Sequence, residues 1–285
     1  MNPTSAPQSP QEIELSRPDR TVLRGLRWRR AGGARAIVVH GLGEHAGRQR
    51  NVCRFLAGRG FDVVAFDHRG HGRSDGARGA LRRQRDLVDD LAAIVSSTAS
   101  APIVLVGHSM GGLVALHHAL AHPETVAALV LSSPALDPAL NFGQKLLLAT
   151  MSRLAPNVAV GNGLDASKIS HDPAVVRAYR EDPLVHDRIT ARLARFIVEG
   201  SREAIERAGT LAVPTLLLVA GDDRLVAPAG SHRFTRRATQ QRVDERIYDG
   251  LWHELFNENE PARSRVFADL GAWLDKQALG AAPLA

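Results

Sequence analysis

The chain has 285 residues, 44% of them hydrophobic and 23% charged, which is ordinary for a globular protein with one large domain or two small ones. Its formal net charge of +6 could suit a nucleic-acid binder, but the basic residues alternate with acids and no basic segment is interleaved with aromatic residues. We therefore expect no nucleic-acid partner. The single cysteine excludes an internal disulfide and fits a reducing compartment.

The termini and hydropathy indicate where the protein acts. No stretch approaches the roughly 18 consecutive apolar residues of a membrane span. The opening MNPTSAPQSPQE lacks the basic start and apolar centre of a signal peptide. We expect residues 1–11 to form a disordered leader on a cytoplasmic protein, with peripheral membrane association left open. The sequence carries no signal for an oligomeric state.

The predicted elements begin with a hairpin, IELS and TVLRGLRWRR, at one edge of a sheet. Strand-length apolar runs then alternate with amphipathic helices. The runs are AIVVH (36–40), DVVAFD (62–67), PIVLV (102–106), AALVLSSP (127–134), PTLLLVA (214–220) and ERIYDG (245–250). Near-continuous apolar strands that alternate with helices are typical of a parallel sheet covered on both faces. The predicted fold class is therefore α/β, with a mostly parallel central sheet flanked by helices.

The alternation stops between residues 137 and 205, where NFGQKLLLATMSRLAP and ITARLARFIVEGSREAIERA have helical patterns and no buried strand is visible. We predict a helical cap over 137–205, inserted between the two parts of a catalytic domain, 12–136 and 206–278. Helical spacing of Phe142, Leu147 and Met151 predicts an apolar lid that receives an acyl chain and contacts lipid surfaces. A face that merely packs on the catalytic domain has equal support.

The segment GHSMGG directly follows the apolar run PIVLV. A G-x-S-x-G pattern between a strand and a helix predicts Ser109 as a nucleophile on a strained turn, where Gly107 and Gly111 leave the necessary room. A glycine-rich turn with an incidental serine is the alternative. We expect His108, beside the nucleophile, to point away from it.

A serine hydroxyl needs a base within hydrogen-bond reach, and histidine has a suitable pKa. His253, in YDGLWHELF after the last strand, is the best placed. The acid that orients it is expected between the serine and the histidine along the chain. Asp222 and Asp223 follow the next-to-last strand, and their spacing barely separates them; Asp137 is another plausible position.

Acyl transfer also needs donors for the developing oxyanion. We expect the backbone N–H of Met110 and that of Leu42, which lies between two glycines in HGLGEHAGR. These residues would act through the main chain. No metal or organic cofactor is implied, because the DHRGHG cluster resembles metal-ligand spacing only superficially.

Six segments, in order, resemble the α/β-hydrolase fold and, more narrowly, its monoacylglycerol lipase and lysophospholipase-like branch. They are VHGLGEHAGR, FDHRGHGRSDG, VGHSMGG, DPLVH, GDDRLV and YDGLWHELFNE, and the resemblance covers roughly residues 12–276. It implies a serine hydrolase of carboxylic esters that works through an acyl-enzyme. It assigns the acid to Asp223, immediately before Arg-Leu, and the base to His253. The chain departs from the branch at Ala227, where relatives often carry an acidic residue before the proline.

The same resemblance implies a monoacylglycerol or a lysophospholipid as substrate. Glu44, His45, Arg48 and Tyr179 are candidates for polar contacts with a glycerol-like head group. A general carboxylesterase or thioesterase is the near alternative. A catalytically silent hydrolase-fold interaction protein is the alternative from another class, and a complete Ser, Asp and His set argues against it.

Overall fold

The computed structural model describes residues 9–98, 101–239 and 241–279. Its centre is an eight-stranded sheet in the order β1-β2-β4-β3-β5-β6-β9-β10. The strands are β1 Gln11–Ser16, β2 Val22–Trp28, β3 Arg35–Val39, β4 Asp62–Phe66, β5 Ile103–His108, β6 Val126–Ser132, β9 Thr215–Ala220 and β10 Val243–Tyr248. Strand β2 pairs antiparallel with β1 and β4, and the other neighbours are parallel.

Helices lie on both faces of this sheet. They are α1 Arg50–Gly58, α2 Asp86–Thr98, α3 Met110–Ala121, α4 Phe142–Leu154, α5 Pro173–Glu181, α6 Ala191–Glu206, α7 Pro228–Arg237 and α8 Ala262–Lys276. The predicted α/β class and the edge hairpin are confirmed. Gln11, placed in the leader by the sequence, already pairs with Arg27 in β1. Residues 1–8 of that leader lie outside the described residues.

The core explains why the strands are continuously apolar. In β5, Ile103 and Leu105 pack into a cluster on one face of the sheet, whereas Val104 and Val106 pack into a cluster on the other. Successive side chains of a strand point to opposite faces, so a strand covered on both sides must be apolar at every position. Because the strands of this sheet from β3 to β10 run parallel, their carboxyl ends lie at one edge of the sheet. The loops that follow β5, β9 and β10 at this edge carry the site described below.

The segment between β6 and β9 contains α4, α5 and α6. It also contains a short antiparallel pair, β7 Ala159–Gly161 and β8 Arg188–Thr190, which the sequence did not predict. Each strand has only three residues and β7 is entirely exposed, so the sequence has no apolar run that would predict the pair. Helix α6 packs Phe196, Ile197 and Ala204 into the main core, whereas α4 buries none of its residues. The domain boundaries at 137 and 205 stay a prediction.

Candidate active site

Ser109 occupies a tight turn between β5 and α3. Its φ of 53° is positive, a backbone conformation that residues other than glycine rarely adopt. A Cβ on Gly107 would lie 2.6 Å from the carbonyl oxygen of Gly111, and one on Gly111 would lie 2.3 Å from that of His40. Backbone atoms cannot move aside as flexible side chains can. The predicted need for glycine on both sides of Ser109 is confirmed.

His253 lies in the loop after β10, and its Nδ1–H donates a hydrogen bond of 2.7 Å to Asp223 Oδ2. The other carboxylate oxygen of Asp223 accepts the backbone N–H groups of Leu225 at 2.8 Å and Val226 at 3.0 Å. Both side chains of the pair are nearly buried, at 6% and 3% exposure. With its Nδ1 proton committed to Asp223, the neutral imidazole presents Nε2 as an acceptor.

The two groups shift each other's pKa. Burial disfavours the charged imidazolium, but the Asp223 carboxylate and then Glu254 outweigh it and raise the pKa of His253 above its ordinary value. Burial also disfavours the ionised form of Asp223, yet His253 and the backbone donors together hold the pKa of that carboxyl below its usual value. The pair is therefore arranged to stabilise an imidazolium.

The other two candidate acids lie elsewhere. Asp222 is exposed and pairs with Arg224 at 3.0 Å. Asp137 pairs with Arg233 at 2.7 Å. Of the three aspartates that the sequence left open, Asp223 alone contacts the His253 ring within the described part of the chain.

Ser109 and His253 line one cavity of about 150 Å³, together with Leu42 and Met110. A Cβ on Gly41 would lie only 3.1 Å from Ser109 Cβ, so the loop after β3 packs directly against the serine. Within the described residues, neither the N–H of Leu42 nor that of Met110 has a protein acceptor. Two uncommitted backbone donors thus flank the serine, as an oxyanion site requires.

Most of the remaining lining is apolar, and much of it comes from the segment between β6 and β9. The contributors from that segment include Leu140, Leu164, Ile169, Ile189, Ile197 and Val198. Sequence reasoning missed them, because they come from loops and from the inner face of α6 rather than from one periodic stripe. Phe142, Leu147 and Met151 are not part of the lining. Phe142 and Leu147 are 82% and 60% exposed, so α4 presents them outward.

His108 also lines the cavity, contrary to the expectation that it points away. Its ring centroid is 4.8 Å from that of His253. Burial and the neighbouring His253 lower the pKa of His108 to about 3. The His108 side chain is therefore uncharged at neutral pH and forms part of the cavity lining beside His253.

A buried charge network lies beside these residues. Arg48 Nη2 donates to both oxygens of Glu254, at 2.8 and 2.7 Å, and its Nε is 3.5 Å from Glu44 Oε2. Glu44 in turn accepts the N–H of Gly41 at 2.5 Å, and the Arg48 guanidinium lies 4.6 Å above the Tyr179 ring. Burial and the proximity of Glu254 raise the pKa of Glu44 to about 7. The network joins the loops after β3 and β10 to α5.

Of the predicted head-group residues, Glu44 and Tyr179 line the cavity and Arg48 lies directly behind them. His45 Nε2–H donates to Asp182 Oδ2 at 2.9 Å, so the His45 ring is bonded to the loop after α5. Glu254 also lines the cavity, but the sequence analysis did not predict it as a site residue. The signal that could have identified it is an acidic residue directly after His253, the expected base.

The DHRGHG segment has a structural role. Asp67 accepts the N–H groups of Ala46 at 2.7 Å and Arg73 at 2.8 Å, which fixes the loop under the site. Over residues 9–98, 101–239 and 241–279, no group of three or more metal-ligating side chains is placed to hold an ion. Over the same residues, no helix is long and apolar enough to cross a membrane.

The model of the Hydrolase_4 family, described as serine aminopeptidase, S33, matches residues 33–260. The chain belongs to this family of α/β-hydrolases. It is 36% identical over 245 residues to a monoacylglycerol lipase of Mycolicibacterium smegmatis, covering 84% of this chain and 86% of the relative. It is 30% identical over 246 residues to a phospholipase of Bacillus subtilis, covering 84% and 94%.

A solved structure is similar over almost the whole chain. The crystal structure of Paleococcus ferrophilus monoacylglycerol lipase superposes with a TM-score of 0.81 at 30% identity, and covers 95% of this chain and 100% of that one. The resemblance inferred from the motifs is confirmed, and the chain is a carboxylic ester hydrolase.

Proposed function

We propose that the chain hydrolyses monoacylglycerols, with Ser109 as nucleophile, His253 as general base and Asp223 as the residue that orients the base. The observation that carries this proposal is the 2.7 Å bond between His253 and Asp223 beside a cavity that Ser109 also lines. A buried carboxylate on Nδ1 fixes the tautomer that can accept a proton at Nε2 and stabilises the imidazolium that follows.

The chemical steps are those of acyl transfer. His253 Nε2 takes the proton of Ser109 while the serine oxygen attacks the ester carbonyl carbon, and the carbonyl electron pair moves onto oxygen. The N–H groups of Leu42 and Met110 hold that oxyanion. Collapse expels the alcohol, which takes the proton from His253. Water, deprotonated by the same imidazole, then attacks the acyl carbonyl carbon. Collapse of this second intermediate breaks the bond to the Ser109 oxygen, which takes the proton back from His253, and the carboxylic acid is released.

The substrate assignment has two supports. The apolar lining suits an acyl chain, and Glu44 and Tyr179 supply the polar groups that a glycerol moiety needs. Relatives at 36% and 30% identity are named monoacylglycerol lipases. Arg48 lies behind the polar part of the cavity lining and holds Tyr179 and Glu254 in place.

A lysophospholipid is the second candidate, favoured by the 30% identity to a protein named phospholipase. It shares a single acyl chain with a monoacylglycerol but carries a charged head group. We further propose a cytoplasmic protein whose helix α4 contacts lipid surfaces through the exposed side chains of Phe142 and Leu147, with the half-buried Met151 on the same helix.

The test is a substrate panel that contains a four-carbon nitrophenyl ester, a long-chain monoacylglycerol, a lysophosphatidylcholine and an aminoacyl anilide, each with Ser109→Ala as control. We expect the highest kcat/KM on the monoacylglycerol and loss of all turnover in the variant. Preference for lysophosphatidylcholine would select the second candidate. Turnover of the short ester alone would leave the mechanism and remove the lipid assignment. Activity confined to the anilide would identify a peptidase.

A further inference from the structure

The oxyanion loop, residues 40–44 after β3, is held by different parts of the chain on the two sides of Leu42. Before Leu42, the carbonyl oxygen of Gly41 accepts a hydrogen bond from His40 Nδ1–H at 2.8 Å. After Leu42, the carbonyl oxygen of Gly43 accepts the backbone N–H of His186 at 2.9 Å. His186 belongs to the segment between β6 and β9, just before β8. That segment therefore holds the side of the oxyanion loop that follows the predicted donor.

The backbones of Gly43 and His186 are in close contact. Gly43 has a φ of +76°, and a Cβ on it would lie only 2.5 Å from the carbonyl oxygen of His186. The two backbone segments therefore pack against each other without a side chain between them. A displacement of residue 186 would move the residue that directly follows Leu42.

The imidazole ring of His186 is bonded at both nitrogens. Its Nε2–H donates to the carbonyl oxygen of Gly70 at 3.1 Å, and its Nδ1 accepts the backbone N–H of Arg188 at 3.1 Å. This arrangement needs a neutral ring with its proton on Nε2. Burial, and then the charge of Arg78, lower the pKa of His186 below its ordinary value, which keeps the ring neutral at pH 7. The ring also lies beside that of His71, with 4.7 Å between the centroids.

The residue that receives the Nε2–H bond is itself firmly placed. Gly70 is buried in the loop after β4, and its N–H donates to the carbonyl oxygen of Asp75 at 2.8 Å. The Gly70 carbonyl oxygen also accepts the N–H of Gly79 at 3.2 Å. The ring of His186 is thus bonded to a fixed point of the catalytic domain, while its backbone is bonded to the oxyanion loop.

We propose that His186 is a positioning residue for the oxyanion site. Its ring, bonded to Gly70, fixes the backbone that holds Gly43, and this keeps the N–H of Leu42 directed at the oxygen of the reacting carbonyl. Within the described part of the chain, His186 is not among the residues that line the cavity, so it acts through the loop and not on the substrate. The inference rests on the proposed function, in which the Leu42 N–H stabilises the oxyanion.

Other contacts attach the same segment on either side of His186. Asp182 accepts a hydrogen bond from His45 at 2.9 Å, and the backbone N–H of Thr190 donates to Gly79 at 2.9 Å. These bonds do not involve the His186 ring. They should keep the segment folded when that ring is replaced, so the effect of a substitution should be confined to the oxyanion loop.

Two variants separate the two bonds of the ring. His186→Asn places an acceptor near the position of Nδ1 and can keep the bond to the Arg188 N–H, a turn that asparagine commonly forms, but it has no donor that reaches Gly70. His186→Gln places an amide donor near the position of Nε2 and can keep the bond to Gly70. Both variants lose the ring, so each is the matched control for the other.

The first measurement is hydrolysis of a soluble four-carbon ester. We expect His186→Asn to lower kcat by about 10- to 100-fold with little change in KM, because an oxyanion exists only in the transition state and the intermediates that resemble it. His186→Gln should stay within about threefold of the wild type. The affinity for butylboronic acid, whose tetrahedral serine adduct places an oxygen at the oxyanion site, should fall with kcat. Wild-type kcat in His186→Asn, equal losses in both variants, or a loss in KM alone would overturn the proposal.

A second measurement does not require turnover. Amide hydrogen exchange, followed by NMR and corrected for the intrinsic rate at each residue, reports the bond from the residue 186 N–H to Gly43. We expect this amide to exchange about tenfold faster or more in His186→Asn than in His186→Gln, while the Thr190 amide keeps its protection in both. Faster exchange with no ester turnover by the wild type would retain the positioning role and refute the proposed function. Turnover that depends on Ser109, with unchanged exchange and kcat in His186→Asn, would do the reverse.

Discussion

The loops at the sheet edge and helix α4, which lies outside the cavity lining, are held very differently. At the sheet edge, Asp223 and His253 are almost fully buried and hydrogen-bonded, and the turn at Ser109 admits only glycine at two neighbouring positions. Helix α4, on the other side, buries no residue and turns Phe142 to solvent. Under the proposed function the difference separates two tasks: reacting groups must be fixed to within fractions of an ångström, whereas a surface that meets lipid needs exposure and can tolerate loose packing.

The largest expected effect breaks the rigid side of this comparison. Asp223→Asn leaves the shape of the site but removes the charge that stabilises the imidazolium, so we expect kcat on a soluble ester to fall by about 10⁴-fold. The adjacent Asp222→Asn is the matched control and should stay within about threefold, because the Asp222 side chain is exposed and, among the described residues, hydrogen-bonds to Arg224 alone. A larger loss from Asp222→Asn than from Asp223→Asn would invert the acid assignment.

The buried network should respond next most strongly. Arg48→Met removes the cation between two buried carboxylates, Glu44 and Glu254, and we expect the free energy of unfolding to fall by about 3–5 kcal/mol. Adding Glu44→Gln should recover part of that loss, since it removes one of the uncompensated carboxylates. Urea unfolding of the single and double variants checks this. No recovery in the double variant would mean that Arg48 stabilises through packing on Tyr179 rather than through charge.

The pH dependence gives a smaller effect with a definite sign. The general base must be uncharged to accept the serine proton, so kcat/KM is lost as the pH falls through the pKa of His253. Because that pKa is raised, the loss should be centred above the ordinary value of 6.5. Removing the Asp223 carboxylate should move the midpoint down. The kcat/KM of a soluble ester between about pH 5 and 9 checks both shifts, and an unchanged midpoint in Asp223→Asn would contradict the electrostatic coupling.

The exposed side should give the smallest effect on the protein itself. Phe142→Ser should change the free energy of unfolding by about 0.5 kcal/mol or less and leave the rate on a soluble ester unaltered, because the side chain is 82% exposed. Its loss should appear only with substrate presented in vesicles. Thermal unfolding and the two assays check this. A marked fall in stability would show that α4 packs on the catalytic domain, the alternative that the sequence left open.

The features that could be predicted from the sequence are those that depend on residues close together in the chain. Apolar runs and the glycines around Ser109 reflect constraints within a few residues, so the sheet and the turn could be predicted. Asp222 and Asp223 could not be separated by spacing, since adjacent residues differ only in how the turn directs them. The β7–β8 pair and the cavity wall at Leu140 and Ile197 come from contacts between distant segments, which leave no periodic pattern.

The central claim is that Ser109 is the nucleophile of an ester hydrolase. The most direct test is labelling with a fluorophosphonate, which phosphonylates an activated serine, followed by intact-mass and peptide mass spectrometry. We predict one adduct, on Ser109, that is absent from Ser109→Ala and greatly slowed in Asp223→Asn. An adduct on a different serine, or unchanged labelling of Ser109→Ala, would contradict the account.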